Sequence, residues 1–295
     1  MASPLSKIKF DITPEKIALI TGGSSGIGLS TAKLLAAEGM HVWLVARGSD
    51  KLEIALDEVN QARINSNQIC GTISADVSDW DQALDAVVQV EGNIGTPDLL
   101  INSAGVTQPG YVQDQSLDIF QWMMDVNYFG TVHFIRAVLM GMLNRGSGYI
   151  VNISSMAGFI GAFGYAAYGA SKYAVRGLSD VMRTELKPHG IGMSIVFPPD
   201  TDTPQLAYEE EYKPYETKYI GGIPNLRSPE EVASSIVKGI SRGDYLIFPS
   251  LDTKIWYKVA NILGAGVYPI MDILVSRAQN NNAKESNTRD TSDTS

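Results

Sequence analysis

The 295-residue sequence has one cysteine, three histidines and no long apolar run. The single cysteine, Cys70, excludes an internal disulfide framework and a multi-cysteine zinc site. The histidines lie far apart and show no spacing typical of metal ligands, so we expect no metal site. This low cysteine content favours a reducing, cytoplasmic compartment.

Positive charge is also scarce, with 23 Lys and Arg against 32 Asp and Glu and a formal net charge of −9. A general nucleic-acid binder needs a basic face to meet phosphates, so we expect no nucleic-acid partner. Hydrophobic residues make up 44% of the chain, which is enough for a packed core and excludes global disorder. No repeat and no Pro/Ser-rich linker divides the sequence, so a single domain is predicted.

The two ends of the chain differ from its middle. Residues 1–15 have no apolar core of signal-peptide length and are predicted to be flexible. A conventional membrane-spanning helix is not expected, because no stretch of about 20 apolar residues is present. Residues 251–278 are nevertheless apolar or amphipathic, and either pack on the core or a partner subunit or contact a membrane surface peripherally. Residues 279–295 are almost wholly polar and are predicted to form a disordered tail.

From residue 16 to about 250, short apolar runs rich in β-branched residues alternate with helical patterns. Strands that are apolar throughout predict a parallel sheet covered by helices on both faces. Right-handed crossovers then give an α/β, doubly wound Rossmann fold with seven strands. Residues 116–143 are predicted to form one long helix. Residues 198–227 form the largest irregular stretch, which is typical of a lid over a binding site.

A glycine-rich turn, Thr21-Gly-Gly-Ser-Ser-Gly-Ile-Gly28, follows the first strand and opens the first helix. Glycines allow a tight turn and a close approach to a pyrophosphate, and the helix N-terminus supplies free N–H groups.

The second strand ends in Ala46-Arg47, where an enzyme that uses NAD would place a carboxylate for the ribose 2′-hydroxyl. Arg47 and Lys51 instead suit a 2′-phosphate, although a solvated arginine at a helix start is the alternative. Asp76 either accepts from an adenine amino group or caps a helix.

Tyr168 and Lys172 are four residues apart on a predicted helix and therefore share one of its faces. A nearby cation favours the phenolate and can make a tyrosine an acid–base group near neutral pH. Ser154 and Ser155 end the fifth strand, at the edge where active sites collect in such sheets. Asn127 lies in the middle of a helix, where asparagine is mildly unfavourable, and either exposes a backbone carbonyl or holds a neighbouring group.

Together these motifs resemble the short-chain dehydrogenase/reductase family over residues 16–248. The family's serine usually precedes its tyrosine by 13 positions, which implies a catalytic tetrad of Asn127, Ser155, Tyr168 and Lys172. The resemblance also implies a homo-oligomer and a nicotinamide cofactor. The residues implied to bind this cofactor are Gly22, Ser24, Ser25, Gly26, Ile27, Gly28, Arg47, Lys51, Asp76, Val77, Asn102, Ala104, Gly105, Tyr168, Lys172, Pro198 and Thr203.

The string Pro198-Pro-Asp-Thr-Asp-Thr-Pro204 further resembles the 3-ketodihydrosphingosine (3-dehydrosphinganine) reductases, as do the glycine-rich turn and Leu44-Val-Ala-Arg47. This resemblance implies NADPH-dependent reduction of a lipid-like ketone, in the cytoplasm or at the cytosolic face of the endoplasmic reticulum of a eukaryote. Alternatives are reduction of another hydrophobic ketone or aldehyde, such as a steroid, retinoid or ketoacyl compound, and a non-catalytic NADP(H)-binding sensor. The candidate substrate-binding residues are Ser155, Phe159, Phe163, Asp200 and Asp202.

Overall fold

Strands and helices alternate along most of the chain in the computed structural model, which describes residues 6–221 and 226–292, with side chains up to residue 284. The strands are β1 (Ile17–Thr21), β2 (His41–Ala46), β3 (Cys70–Ser74), β4 (Leu99–Asn102), β5 (Gly148–Ile153), β6 (Ile191–Val196) and β7 (Leu246–Ile247). The helices are α1 (Gly26–Ala37), α2 (Ser49–Ala62), α3 (Trp80–Asn93), α4 (Leu117–Met123), α5 (Gly130–Arg145), α6 (Ala166–Leu186), α7 (Pro204–Glu210), α8 (Tyr215–Gly221), α9 (Pro229–Arg242), α10 (Leu251–Leu263) and α11 (Val267–Ser292).

The seven strands form one parallel sheet in the order β3-β2-β1-β4-β5-β6-β7. The chain builds outward from β1 in one direction and from β4 in the other. A crevice therefore opens between their carboxyl ends, which is where ligands bind in open α/β sheets. This topology confirms the predicted doubly wound fold.

Both faces of the sheet are buried. Leu35 of α1 and Ile236 of α9 pack with Val42 on one face. On the other face, Phe134 of α5 packs with Leu100 and Val87. Burial on both faces explains why β1, at the centre of the sheet, is buried at every position rather than at alternate ones.

The helix predicted over residues 116–143 is interrupted at the position of Asn127. Helices α4 and α5 are joined by a π-helical segment, Met124–Phe129, and the whole helical stretch spans Leu117–Arg145. A π-helical turn widens the backbone and is frequent at functional sites. The Thr131 hydroxyl donates to the Asn127 carbonyl at 2.8 Å.

The prediction of a flexible N-terminus is wrong for the described residues 6–15. Phe10 is buried, and its backbone N–H donates to the Ile240 carbonyl at 3.0 Å. Lys7 Nζ lies 2.7 Å from Asp244 Oδ1. These contacts hold the segment against α9, because Phe10 contributes apolar area to the core that a flexible arm would leave in water. Residues 1–5 lie outside the described part.

The lid predicted over residues 198–227 is more regular than expected, since it contains α7 and α8. Thr203 caps α7, and its Oγ1 accepts from the Leu206 N–H at 3.3 Å. The base of the lid is closed by backbone pairing: the Arg227 N–H donates to the Asp200 carbonyl at 3.0 Å, and the Asp202 N–H donates to the Arg227 carbonyl at 2.9 Å. Residues 222–225 lie outside the described part.

The C-terminal segment forms two helices, α10 and α11, separated by a bend in which Gly264 has a φ of +50°. The expectation that no segment is long and apolar enough to cross a membrane is not met. Leu251–Lys284 meets that criterion by length and composition, with a mean hydropathy of 1.5 and only 6% of its most apolar window buried. The helical stretch Leu117–Arg145 also meets it, but its window is 44% buried in the core.

The predicted disordered tail is also wrong for residues 279–292, which continue α11. Asn281 contacts the lid, because its Nδ2 donates to the Tyr219 hydroxyl at 3.0 Å. Helix α11 therefore packs beside α8 instead of ending at the last apolar residue. Residues 293–295 lie outside the described part.

Candidate active site

A single cavity of about 1200 Å³ runs along the carboxyl edge of the sheet, from the turn after β1 to helices α10 and α11. Its volume exceeds the roughly 300–1,000 Å³ of common small-molecule sites. The space is therefore large enough to hold a dinucleotide and a second ligand together.

The turn between β1 and α1 borders one end of this cavity. Gly22 has a φ of +66°, and a Cβ there would lie 2.7 Å from the Ala104 backbone. A Cβ on Gly28 would lie 2.3 Å from the Gly22 carbonyl oxygen, so a side chain at either glycine would disrupt the turn. Gly28 does not itself line the cavity, whereas Ser24, Ser25, Gly26 and Ile27 do. These residues open α1, whose first N–H groups and dipole favour a phosphate.

The next part of the cavity wall follows β2 and β3. Arg47 and Lys51 are exposed and line the cavity, and neither forms a salt bridge among the described residues. Asp76 and Val77, which follow β3, also line the cavity. Asp76 Oδ1 accepts from the Ser78 N–H at 2.9 Å and from its hydroxyl at 2.7 Å, so this carboxylate holds a turn as well as lining the cavity.

The turn after β4 contributes Ala104 and Gly105 to the wall, but Asn102 lies behind it. Asn102 is buried, and its Nδ2 donates to Asn152 Oδ1 at 2.9 Å. Its role in the structure is thus to fasten β4 to β5. This part of the cavity fits a nicotinamide cofactor for two reasons. A Cβ at Gly22 would crowd the Ala104 backbone, and Arg47 and Lys51, which form no salt bridge among the described residues, line the same cavity.

Ser155, Tyr168 and Lys172 meet in the middle of the cavity wall. Ser155 follows β5, and Tyr168 and Lys172 lie on α6. Lys172 Nζ donates to the Ile153 carbonyl at 3.1 Å and lies 5.5 Å from the centroid of the Tyr168 ring. The spacing of four residues on α6 places both side chains on the face that covers the end of β5.

Burial controls the charge state of this cluster in the cofactor-free protein. Desolvation lowers the pKa of Lys172 from 10.5 to about 8, and the Glu209 carboxylate opposes that change. Desolvation raises the pKa of Tyr168, and the charge of Glu209 adds to the increase. The hydroxyl therefore stays protonated at neutral pH and is ready to donate its proton.

Asn127 is buried behind the cluster and does not line the cavity. Its Oδ1 accepts from the Val106 N–H at 2.8 Å, and its Nδ2 donates to the Val106 carbonyl and to Ser171 Oγ, both at 2.9 Å. This side chain joins the turn after β4 to α6. The structure therefore brings Asn127 to the site as a bridge that positions α6.

The residues expected to contact substrate divide into two groups. Ser155, Phe163 and Asp200 line the cavity, as do Pro198 and Thr203 from the cofactor prediction. Phe159 and Asp202 do not. Phe159 is buried against Phe197, with ring centroids 5.3 Å apart. Asp202 is exposed on the outer side of the lid.

Helices α7, α10 and α11 supply a part of the wall that the predicted site residues do not include. Gln205 and Glu209 reach the cavity from the lid, together with Tyr165 from the start of α6. Burial of Glu209 raises the pKa of its carboxyl group. A glutamine in a lid has no recognisable motif, but the spacing of four residues between Gln205 and Glu209 places them on one helix face. Trp256, Met271 and Leu274 line the apolar end.

Comparison with known proteins agrees with this geometry. The family model described as short chain dehydrogenase matches residues 16–213. The chain is 40% identical over 246 residues to the 3-ketodihydrosphingosine reductase of Bos taurus, covering 83% of this chain and 74% of the relative. It is 36% identical over 275 residues to the 3-ketodihydrosphingosine reductase of Dictyostelium discoideum, covering 88% and 82%.

Among solved structures, actinorhodin polyketide ketoreductase with NADPH aligns with a TM-score of 0.73 and 29% identity, covering 80% of this chain and 97% of that one. Levodione reductase aligns with a TM-score of 0.70 and 25% identity, covering 80% and 96%. The family model covers residues 16–213, and the bovine relative matches 83% of this chain. The chain therefore belongs to the short-chain dehydrogenase/reductase family, whose members are oxidoreductases that use a nicotinamide cofactor.

Proposed function

We propose that this protein is an NADPH-dependent carbonyl reductase that converts 3-ketodihydrosphingosine to dihydrosphingosine. One observation carries the proposal. The Ser155, Tyr168 and Lys172 cluster lies in a single cavity between a phosphate-suited turn and an apolar wall. The relatives named as 3-ketodihydrosphingosine reductases support the choice of substrate.

In the proposed reaction, Tyr168 donates its hydroxyl proton to the carbonyl oxygen of the ketone. Ser155 hydrogen-bonds the same oxygen and polarises the carbonyl group. Lys172, when protonated, stabilises the phenolate that Tyr168 becomes, and Asn127 holds α6 in register with the turn after β4. NADPH, when bound, supplies the hydride that the carbonyl carbon accepts. Residues Ser24–Ile27 and Val77 would hold this cofactor.

The preference for NADPH rests on Arg47 and Lys51. Both line the cavity at the end of β2, where an NAD enzyme would carry a carboxylate. Neither is neutralised by a salt bridge within the described residues, so both charges are available to an added phosphate. A guanidinium group can form two parallel hydrogen bonds with a phosphate.

The far end of the cavity suits an amphipathic amine. Asp200 lines the cavity and presents a carboxylate that can bind an ammonium group beside the ketone. Ile160, Trp256, Met271 and Leu274 provide apolar wall on which an alkyl chain can lie. Burial of such a chain contributes about 0.8 kcal/mol for each methylene group.

We further propose that α10 and α11 contact a membrane surface, in a eukaryote the cytosolic face of the endoplasmic reticulum. Their exposed residues include Ile262 at 82% and Tyr268 at 65% exposure. The same two helices line the apolar end of the cavity, so a lipid substrate would have a short path from the membrane to the site.

A homo-oligomer stays a prediction, supported by Met140 of α5 and Val181 of α6, which are 62% and 56% exposed.

The test is NADPH oxidation by the purified full chain with 3-ketodihydrosphingosine in mixed micelles. Parallel reactions use NADH, and steroid, retinal and ketoacyl substrates. We expect selective turnover of the sphingoid ketone with NADPH. Turnover of another substrate alone would reject the sphingoid assignment, and absence of any turnover would reject the reductase assignment.

The contribution of Asp200 is tested with Asp200→Asn, which keeps the size of the side chain. We expect a higher KM for 3-ketodihydrosphingosine but not for 3-ketooctadecan-1-ol, which lacks the amine. Asp202→Asn, on the outer side of the lid, is the matched control. Equal effects of the two variants would contradict binding of the ammonium group by Asp200.

A further inference from the structure

A buried carboxylate of the lid borders the cavity. Glu209 of α7 is only 7% exposed and lines the same cavity as Tyr168. Its Oε2 accepts a hydrogen bond from the Tyr165 hydroxyl at 2.7 Å. The ring centroids of Tyr165 and Tyr168 are 5.7 Å apart. The carboxylate is therefore fastened to a side chain that packs against the proposed proton donor.

Two donors fix the orientation of this carboxylate without using all of its acceptor capacity. Tyr165 donates to Oε2, and Gln205 Nε2 donates to Oε1 at 3.3 Å. Gln205 lies one helical turn before Glu209, so the two side chains share a face of α7. Each carboxylate oxygen has about two acceptor sites, so these two hydrogen bonds leave room for a ligand to donate to either oxygen.

The charge of Glu209 has no counter-ion among the described residues. Lys213 also lines the cavity, but its Nζ forms an ion pair with Glu210. Asp200, which lines the cavity as well, forms no salt bridge in the described part of the chain. Burial raises the pKa of the carboxyl groups of Asp200 and Glu209. A buried carboxylate without a counter-ion at a cavity wall favours a cationic ligand, because buried charges are stable when they are paired.

We propose that Glu209 is a specificity-determining residue that binds the ammonium group of the substrate together with Asp200. The inference rests on the reduction of an amino ketone proposed above. An ammonium group has three N–H donors, so two carboxylates can accept from it at once. In the proposed substrate this group is on the carbon next to the ketone, which places it close to the carbonyl oxygen that Tyr168 protonates. The lid then recognises the head group while the edge of the sheet carries out the reduction.

The experiment compares kcat/KM for two ketones that differ only in the amine, 3-ketodihydrosphingosine and 3-ketooctadecan-1-ol. Glu209→Gln keeps the size of the side chain and an acceptor for Tyr165, but it removes the charge. We expect at least about a tenfold loss of kcat/KM for 3-ketodihydrosphingosine and no loss for 3-ketooctadecan-1-ol. A loss shared by both ketones would mean that Glu209 acts on the reaction or on the hydroxyl group, and would overturn the inference.

Glu211→Gln is the matched control. Glu211 is exposed just after α7 and does not line the cavity, so this variant removes an equal charge from the same part of the lid. We expect it to reduce both ketones as the wild type does. Thermal denaturation shows whether the variants fold. If Glu209→Gln does not fold, Glu209→Asp takes its place, because it withdraws the carboxylate by one methylene group and should cause the same selective loss.

Binding of decylamine tests the ammonium site without turnover. The full chain is titrated in a calorimeter with decylamine and with decan-1-ol, in the presence of NADPH. We expect the wild type to bind decylamine more tightly than decan-1-ol. Glu209→Gln should weaken decylamine binding about tenfold and leave decan-1-ol binding unchanged. Equal binding of decylamine by the wild type and Glu209→Gln would overturn the inference.

The outcomes separate the inference from the proposed function. If the wild type reduces the sphingoid ketone but Glu209→Gln changes neither kcat/KM nor decylamine binding, only the inference fails. If the wild type reduces a neutral ketone alone, the sphingoid assignment fails, and the decylamine titration decides whether Glu209 binds an ammonium group. If it reduces no ketone, the reductase assignment fails, and the inference fails with it.

Discussion

Replacing Lys172 with methionine should stabilise the cofactor-free protein while abolishing its activity. Desolvation lowers the pKa of Lys172 from 10.5 to about 8, which corresponds to a cost of about 3 kcal/mol at ~1.4 kcal/mol for each pKa unit. Methionine does not carry this cost, but it loses the hydrogen bond to the Ile153 carbonyl, which is worth about 1 kcal/mol. We expect the free energy of unfolding to rise by about 2 kcal/mol at pH 7.

The sign of the pH dependence follows from proton binding. Below pH 8 the folded and unfolded states of the wild type both carry the lysine charge, and the cost of burying it is fully present. Between pH 8 and 10.5 the folded state has lost a proton that the unfolded chain still binds, so the wild type gains stability as pH rises. The advantage of Lys172→Met should therefore shrink across this range.

The assay is urea unfolding of the wild type and Lys172→Met at pH 7 and pH 9.5, without cofactor. Lys238→Met, at an exposed position of α9, is the matched control and should show a pH-independent difference from the wild type. A Lys172→Met variant that is less stable than the wild type at pH 7, or whose advantage grows with pH, would refute the reasoning.

Other predictions concern the cofactor, the proton donor and the membrane. Arg47→Ala should raise the KM for NADPH about tenfold and leave the KM for NADH unchanged, and equal effects in steady-state kinetics would reject the choice of NADPH. Tyr168→Phe should abolish turnover but preserve NADPH binding in calorimetry; retained turnover would contradict the mechanism. Ile262→Asp should reduce flotation with lipid vesicles relative to Val112→Asp, a control at 61% exposure on another surface. Equal flotation would reject the contact through α10.

The sequence predicts the sheet and the shared helix face of Tyr168 and Lys172 well, because both depend on local patterns. Seven apolar strands separated by helices can form only a few sheet topologies, because the connections between parallel strands are right-handed. The tyrosine and lysine of α6 share a face in any α-helix, so Tyr168 and Lys172 had to lie together. The glycine-rich turn is equally local, since its conformation depends on positive φ angles and close backbone packing.

The wrong predictions depend on contacts between distant residues. The polar composition of the tail predicts disorder. The contact between Asn281 and Tyr219 of the lid joins residues far apart in the sequence, so local patterns do not reveal it. Phe10 lies between Ile8 and Ile12 in a short stretch with no recognisable motif, but it packs beside Tyr149 with ring centroids 5.8 Å apart. Phe159 and Phe163 look equivalent in the sequence, and only the fold decides that Phe159 enters the core.

The most direct test of the central claim follows the transferred hydrogen. The full chain is incubated with 3-ketodihydrosphingosine and NADPH deuterated at C4 of the nicotinamide, and the lipid product is analysed by mass spectrometry. Reactions with each of the two C4 epimers cover either face of the ring. We predict dihydrosphingosine with one deuterium at C3 for one epimer, and no such product from Tyr168→Phe. Unlabelled or unconverted lipid with both epimers would contradict the account.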